Sequence, residues 1–252
     1  MSPSPPSPSW QVDPMRPFGH AVDLDLDFGQ PDRPGLVTAL LVHCVEPGDA
    51  AFWWSQSIGA RTAALLRLVA LTEDRDRLSL NARCVSRECG EPYEFTLPLR
   101  SLPGGDVDAG PVQVHLDEGR TLTMRRPTGE DLRRWREGAP ASRADAMRMM
   151  LDSLVLAGQA LPDDEAAVSA SIASLDPLVD FSVLCQCPAC GTPNEVAVDL
   201  EALALVRLAG RQRALLHEVH RFASAYGWTE SDVLTVPRAR RARYLAFIEE
   251  QR

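Results

Sequence analysis

The chain has 252 residues, a formal net charge of −9 and a sequence pI near 5.1, and 45% of its residues are hydrophobic. This composition is typical of a globular protein, and the acidic balance argues against nucleic acid or an anionic membrane as a partner. Because the sequence contains no lysine, a lysine-dependent phosphate-binding loop and a Schiff-base lysine are both excluded.

Compartment and cysteine usage can be read from the same composition. No apolar run approaches the roughly 18 residues that a membrane span requires, and the first residues lack the pattern of a secretory signal. Six cysteines are too few for a disulfide scaffold, and clustered cysteines in an intracellular chain more often bind metal. We therefore expect a cytoplasmic protein with a metal site.

In chain order, the sequence begins with a proline- and serine-rich tract, residues 1–17, which predicts a disordered tail. The alternating apolar and acidic residues of 20–29 predict an edge strand. Residues 57–74 have the apolar spacing of a helix, and residues 77–102 indicate a strand, a cysteine-containing turn and a second strand. Together these elements predict a first module over residues 18–110.

Residues 111–177 are predicted to connect this module to a second one. Two alternating runs within 112–127 flank an Asp-Glu-Gly turn and predict a β-hairpin. Three helices are predicted to follow, at about 129–137, 141–157 and 163–174.

The second module is predicted over residues 178–252. It begins with another strand–turn–strand unit at 179–199, and a long amphipathic helix runs from there to Tyr226. Gly227 is well placed to end that helix in the left-handed conformation. Pro237 is predicted to open a last, arginine-rich helix, because proline is favoured at the first helical position.

The two strand–turn–strand units align at a constant offset of 101 residues, which places Cys84 on Cys185 and Cys89 on Cys190. A predicted helix precedes each unit. The sequence therefore predicts an internal duplication of a helix–strand–knuckle–strand module, a knuckle being the tight turn that presents cysteine thiolates to a metal. The same offset also pairs Gly90 with Gly191, Pro92 with Pro193, Glu94 with Glu195 and Leu99 with Leu200.

Two facing knuckles can supply the four ligands of a tetrahedral structural zinc site. We predict Cys84, Cys89, Cys187 and Cys190 as those ligands, with Cys185 either spare or exchanging with Cys187. Four thiolates leave no open coordination position, so zinc is predicted to be a structural cofactor. The alternative is a metal-free pair of knuckles, since the C-x4-C spacing of the first is looser than C-x-x-C.

The remaining candidate ligands favour structural roles. His217 and His220 are three residues apart, whereas a zinc-protease helix needs H-E-x-x-H, with its histidines four apart. A surface or hydrogen-bonding role therefore suits these histidines better than catalysis. Cys44 lies alone in an apolar run and is predicted to be a core residue. With no catalytic constellation in the sequence, we predict that the protein is not an enzyme and has no small-molecule substrate.

The C-terminal helices carry the candidate partner contacts. Two aromatic residues could pin the turn between helices, but packing in the core is the favoured interpretation for them, and three arginines of the last helix are placed on a solvated face. The outline also suits a DNA-binding helix pair, but a basic face that meets an acidic protein explains it equally well. The predicted partner-binding residues are His220, Tyr226, Trp228, Arg238, Arg240, Arg241 and Tyr244.

The stretch CPACG, followed by LLHEVHRFASAYGWTESDVLTVPRARRARYLAFIEE, resembles a family of baseplate proteins from contractile phage tails and related injection systems. It is similar to relatives of the small baseplate-hub assembly protein of T-even phages. The resemblance covers about residues 180–252 and, more loosely, 110–252. The residues that carry it are Cys187, Cys190, Glu218, Val219, His220, Tyr226, Gly227, Trp228, Glu230, Leu234, Arg240, Arg241 and Tyr244.

This resemblance implies a structural or assembly component that is cytoplasmic until it is incorporated into a tail-like particle. Its implied partners are other baseplate or tail proteins, such as hub, spike, wedge or sheath subunits, and not a membrane. It implies no catalysis.

The predicted fold is α+β, with two zinc-ribbon-like modules, a hairpin and C-terminal helices. The predicted function is a zinc-stapled structural protein of a contractile baseplate. The first alternative is a zinc-ribbon transcriptional regulator, since residues 200–252 hold 9 arginines against 6 acidic residues, although the overall charge of −9 opposes it. The second, weakest alternative is an enzyme with an open metal site at His217, Glu218 and His220.

Overall fold

The computed structural model describes residues 14–46, 48–102, 110–116 and 119–250. The helices in these ranges are α1 (Ala21–Leu24), α2 (Arg33–Cys44), α3 (Ala50–Ser55), α4 (Ile58–Glu73), α5 (Gly129–Gly138), α6 (Arg143–Leu154), α7 (Glu165–Leu175), α8 (Leu200–Tyr226), α9 (Glu230–Thr235) and α10 (Arg238–Glu250). The strands are β1 (Arg77–Arg83), β2 (Pro92–Pro98), β3 (Val112–His115), β4 (Thr121–Met124), β5 (Val155–Ala157), β6 (Ser182–Gln186) and β7 (Pro193–Ala197). The predicted α+β class is confirmed.

Local side-chain hydrogen bonds fix where the two longest helices begin and where α8 ends. Ser57 caps α4 by accepting a hydrogen bond from the Ala60 N–H (3.2 Å), and Asp199 caps α8 by accepting one from the Ala202 N–H (2.9 Å). At the other end of α8, Gly227 has a φ of 68°, as its predicted role requires. Asp199 therefore fixes where α8 begins, and Gly227 fixes where it ends.

The strands form three small antiparallel sheets. β1 pairs with β2, β6 pairs with β7, and β4 lies between β3 and β5. The pairing of β1 with β2 and of β6 with β7 confirms the two predicted cysteine-containing hairpins, and β3 with β4 confirms the third hairpin.

A single hydrophobic core is shared by the two predicted modules. Helices α2 and α4 and the β1–β2 hairpin contribute buried residues to it, and so does the N-terminal half of α8. The two hairpins therefore flank one common core, although the sequence placed them in separate modules. Its buried residues include Leu40, Leu65, Leu68, Leu78, Leu97, Val198, Ala204 and Leu208.

A second core lies in the segment predicted as a connector. It joins the β3–β4–β5 sheet to α6 and α7 through buried residues that include Val114, Leu122, Leu154 and Val168. Since α4 belongs to the first core and α7 to the second, the helices that precede the two cysteine hairpins lie in different surroundings. The two halves thus share a helix followed by a cysteine hairpin, but the two helices pack into different cores.

Residues 20–29 do not form the predicted edge strand. They hold α1 and turns. The Asp23 carboxylate is buried and accepts hydrogen bonds from the backbone N–H groups of Gly19 (2.8 Å) and His20 (2.9 Å). By satisfying these donors locally, Asp23 favours a helical turn over a strand.

The chain before α1 is also more ordered than predicted. Residues 1–13 of the predicted tail lie outside the described residues, but Met15 forms a β-bridge with Val45. The Arg16 N–H donates to the Cys44 carbonyl (2.9 Å). The prediction of a disordered tail is therefore wrong for residues 14–17.

Helix α6 ends three residues earlier than the prediction of a helix over 141–157. Val155 pairs with Met124 of β4, and the Arg125 N–H donates to the Leu154 carbonyl (2.9 Å). Residues 155–157 therefore pair with the edge of β4 as strand β5, although helical periodicity alone assigned them to α6.

Candidate metal centre

Each cysteine hairpin ends in a tight turn closed by backbone hydrogen bonds. In the first, the Cys84 N–H donates to the Glu91 carbonyl (3.0 Å). In the second, the Cys187 N–H donates to the Thr192 carbonyl (2.9 Å). The two turns therefore begin at Cys84 and Cys187, and each continues the ladder of its own hairpin.

A glycine permits each turn to reverse direction. Gly90 has a φ of 59° and Gly191 a φ of 73°, in the region that favours glycine. The Gly90 N–H donates to the Ser86 carbonyl (3.0 Å), and the Gly191 N–H donates to the Cys187 carbonyl (2.8 Å). These bonds fold the segment between the two cysteines of each knuckle into a compact loop.

The structure brings together the four cysteines that the sequence predicts as ligands. The Sγ atoms of Cys84, Cys89, Cys187 and Cys190 all lie within 4.8 Å of one another. Contacts cross between the hairpins: Cys84 Sγ lies 3.5 Å from Cys190 Sγ, and Cys89 Sγ lies 3.8 Å from Cys187 Sγ. Residues about 100 positions apart in the chain thus form one cluster.

The spacing of the sulfur atoms fits one tetrahedral metal ion. A metal bound by four thiolates with bonds of about 2.3 Å holds its sulfur atoms about 3.8 Å apart. The two cross-hairpin distances, 3.5 and 3.8 Å, are close to this tetrahedral edge. The donor set therefore suits a thiophilic metal, and four protein ligands leave no position for a substrate.

Burial differs among the four cysteines. Cys187 is 1% exposed and Cys84 is 6% exposed, whereas Cys190 is exposed and Cys89 is half-buried. A metal ion would therefore enter from the side of Cys190, and the two buried thiols would bind at the inner end of the cluster.

Hydrogen bonding makes the thiols of Cys190 and Cys89 unequal. The Thr192 hydroxyl and backbone lower the pKa of Cys190 to about 6, so this thiol ionises more easily than that of Cys89. At Cys89 the backbone at Glu91 acts to lower the pKa, but desolvation and the neighbouring thiols outweigh it and raise the pKa to about 12. Metal binding requires thiolates and therefore displaces protons from this cluster.

The constant offset of 101 residues predicts that Cys185 is the counterpart of Cys84, and the structure shows that this prediction is wrong. The turn pairs Cys84 with Glu91 and Cys187 with Thr192, so Cys187 is the counterpart of Cys84 in the hairpins. In the ladders that precede the turns, Cys185 pairs with Asn194 just as Ala82 pairs with Tyr93. The alignment is wrong before the turn because the first knuckle loop is two residues longer than the second.

Two side chains that sequence reasoning missed connect the hairpins beside the cluster. The Tyr93 hydroxyl of the first hairpin lies 3.1 Å from Cys185 Sγ of the second. In the opposite direction, Asn194 Oδ1 accepts a hydrogen bond from the Val85 N–H (2.7 Å). Tyr93 and Asn194 occupy the same place after a proline in the two strands, so the repeated proline could have indicated them.

The hydrogen bond with Cys185 raises the pKa of Tyr93 to about 12, with desolvation adding to the shift. The hydroxyl therefore remains protonated over the range in which proteins are normally studied. Tyr93 is also buried, which shields this contact from water.

The predicted partner-binding residues lie on and between α8, α9 and α10. His220, Arg238 and Arg240 are exposed, and Tyr226 is 39% exposed. The rings of Phe222, Tyr226, Trp228 and Tyr244 pack together at this end of α8, with Phe222 stacked on Trp228 at 5.3 Å between centroids.

Arg241 corrects the prediction that three arginines share a solvated face. It is 6% exposed, and its guanidinium donates to Glu218 Oε2 (2.8 Å) and to the carbonyls of Val233 (3.3 Å) and Val236 (2.9 Å). It is buried because its guanidinium joins α8, through Glu218, to the end of α9, where it satisfies the Val236 carbonyl.

Neither His217 nor His220 joins a set of potential ligands. Over residues 14–46, 48–102, 110–116 and 119–250, the four cysteines form the one group of three or more cysteine, histidine or acidic side chains placed to hold a metal. Both histidines are exposed on α8. No helix in the described part of the chain is long and apolar enough to cross a membrane.

Comparisons of this chain with family models, curated proteins and solved structures found no match.

Proposed function

We propose that this protein is a metal-stapled structural protein that assembles with other proteins, and that the metal is zinc. The observation that carries the proposal is the cluster of Cys84, Cys89, Cys187 and Cys190, whose sulfur atoms lie within 4.8 Å of one another. Zinc is favoured because thiolates prefer soft or borderline metals and because zinc adopts tetrahedral geometry in four-cysteine sites.

A structural role follows from what such a site does. A metal bound by both hairpins ties together segments that are far apart in the chain, and the binding free energy adds to the stability of the folded state. Four protein ligands also leave no position for a water molecule or substrate, so the site supports no catalytic role.

The assembly partners are proposed to be baseplate or tail proteins of a contractile injection system. The resemblance of residues 180–252 to baseplate proteins supports this choice. The side chains of His220, Arg238, Arg240 and Tyr226 are exposed and give the surface of α8 and α10 basic and aromatic groups. Such a surface suits an acidic protein partner.

Co-purification tests the choice of partner. The tagged protein is expressed in cells that produce the particle, and we expect sheath, spike, hub or wedge subunits to purify with it. Arg240→Glu combined with Tyr226→Ala is expected to reduce this recovery, whereas an Arg148→Glu variant, altered at an exposed position of α6, serves as the control. A protein that purifies alone and is absent from assembled particles would overturn the assignment.

The alternative of a DNA-binding regulator is favoured by the local excess of arginine in residues 200–252. It is weakened by Arg241, which is buried against Glu218 and is withdrawn from any basic face. A mobility-shift assay at low salt separates the two functions, because DNA binding through such a face depends steeply on salt. No shift of duplex DNA is expected.

A further inference from the structure

Cys185 is a fifth sulfur beside a site that needs four. It lies on β6 two residues before Cys187, and side chains two residues apart in a strand point to the same face. Cys185 also packs against the cluster formed by Cys84, Tyr93 and Cys187. It is nevertheless outside the group of four whose sulfur atoms lie within 4.8 Å of one another.

The Tyr93 hydroxyl gives Cys185 a partner away from the other thiols. It belongs to β2 of the first hairpin and lies 3.1 Å from Cys185 Sγ of the second. Tyr93 is buried, so water does not compete for this hydrogen bond. The other contact of Cys185 Sγ is with the Asn194 carbonyl at 3.8 Å, which is at the outer limit for sulfur.

Asn194 orders the opposite side of the cluster. Its Oδ1 accepts from the Val85 N–H, directly after Cys84, and its amide nitrogen donates to the Thr192 carbonyl (2.8 Å). The backbone around Cys84 and the end of the second knuckle are therefore held together by a contact that involves no metal. What remains to be decided is whether Cys185 of β6 or Cys187, just after β6, provides the fourth sulfur ligand.

We propose that Tyr93 is a positioning residue that selects the metal ligands: its hydroxyl holds Cys185 outside the coordination shell and leaves the fourth position to Cys187. This inference rests on the metal-binding part of the proposed function. Cys187 suits the fourth position because its own turn places Sγ 3.8 Å from Cys89 Sγ. Without the tyrosine hydroxyl, Cys185 has no strong partner and becomes available to the metal.

Cobalt substitution tests this selection, because the intensity of the thiolate-to-cobalt charge-transfer band reports the number of bound thiolates. Purified wild-type protein is expected to bind Co²⁺ with four thiolates. Cys187→Ser is expected to show three and to bind Co²⁺ at least about tenfold more weakly, since loss of a ligand costs at least as much as loss of an outer-shell partner.

The decisive variant combines Cys187→Ser with Tyr93→Phe. Removal of the hydroxyl frees Cys185, and we expect the four-thiolate band to return and the Co²⁺ affinity to recover by at least about tenfold. Adding Cys185→Ser to this pair should abolish the recovery. If Tyr93→Phe acted only by destabilising the fold, it would weaken Co²⁺ binding further and would not restore the intensity of the thiolate-to-cobalt band.

Each alternative outcome has a separate meaning. If Cys187→Ser alone shows four thiolates, or if Tyr93→Phe changes nothing in that background, Tyr93 does not select the ligands. If wild-type protein binds no Co²⁺, the metal site itself is overturned, and the inference about Tyr93 falls with it.

Discussion

Asp23 is fully buried and is the centre of a hydrogen-bond network at the start of the described chain. Both its carboxylate oxygens accept from the Arg16 guanidinium at 2.7 Å, and backbone N–H groups of Gly19 and His20 also donate to it. Desolvation acts to raise the pKa of Asp23, but these donors together hold it below its usual value. The ionised carboxylate therefore stabilises the fold.

Asp23→Asn is expected to destabilise the protein by about 3 kcal/mol, because it leaves Arg16 without its buried counter-charge. Asp25→Asn, at an exposed position two residues on, is the matched control and should change stability by less than about 0.5 kcal/mol. Chemical denaturation of the three proteins measures both effects.

The pH dependence of this difference has a definite sign. Since the folded-state pKa of Asp23 is lowered, its contribution is complete above the unfolded pKa of about 3.9 and is lost as pH falls through the folded pKa. The stability gap between wild type and Asp23→Asn should therefore narrow below about pH 4. A gap that stays constant or widens on acidification would contradict this account.

Arg241 has the opposite role to the one its position in an arginine-rich helix suggests. Arg241→Ala removes one of the two arginine partners of Glu218, the other being Arg211, and also the donor to two backbone carbonyls. We expect it to cost about 2 kcal/mol. Arg240→Ala, at the exposed neighbouring position, should cost less than about 0.5 kcal/mol. Thermal unfolding compares the pair, and equal effects would show that Arg241 is not the link between α8 and α10.

At the scale of elements, Gly210 within α8 and Gly227 at its C-terminal end provide a matched pair of substitution sites. A Cβ at Gly210 or at Gly227 would meet no atom within 4 Å, so only backbone conformation distinguishes them. Gly210 is helical and Gly227 has a φ of 68°. Gly210→Ala should stabilise the protein by about 1 kcal/mol, and Gly227→Ala should destabilise it by about 1 kcal/mol.

Shifts of melting temperature in opposite directions are the expected result for these two variants. If both substitutions stabilise the protein, the claim that α8 ends in a left-handed residue at Gly227 is contradicted. If both destabilise it, the central part of α8 is packed against something other than solvent.

Elements with strong local signals were predictable from the sequence. Apolar periodicity identified α4, periodicity together with Gly227 identified α8, and the paired cysteine turns identified both cysteine hairpins. Residues 20–29 were not predictable from alternation, because a buried ion pair between Arg16 and Asp23 overrides the strand pattern. The strand β5 was hidden for a similar reason, since its partner β4 is about 30 residues earlier in the chain.

The same limit applies within the site. The four cysteines could be selected from spacing alone, because two facing knuckles require each other. The correspondence between the hairpins could not: the first loop is visibly two residues longer, as C-x4-C against C-x-x-C, but only the structure shows that Cys84 and Cys187 begin equivalent turns. Tyr93 and Asn194 follow the repeated proline, but their contacts between the hairpins are visible only in the structure.

For the whole molecule, the cysteine cluster lies where two distant parts of the chain meet. Both hairpins also supply residues to the shared core, among them Leu78, Leu97 and Val198. Metal bound at the cluster therefore stabilises the fold as a whole by mass action, since the unfolded chain does not hold the four thiols together.

The most direct test of the account is the metal content of the purified protein. Elemental analysis is expected to find one zinc ion per chain, and a strong chelator under reducing conditions should remove it and lower the melting temperature. The double variant Cys84→Ser/Cys187→Ser should contain none, whereas Cys44→Ser, which alters a buried core thiol outside the cluster, should retain it. Wild-type protein without metal, or zinc retained by the double variant, would contradict the central claim that these four cysteines form a metal site.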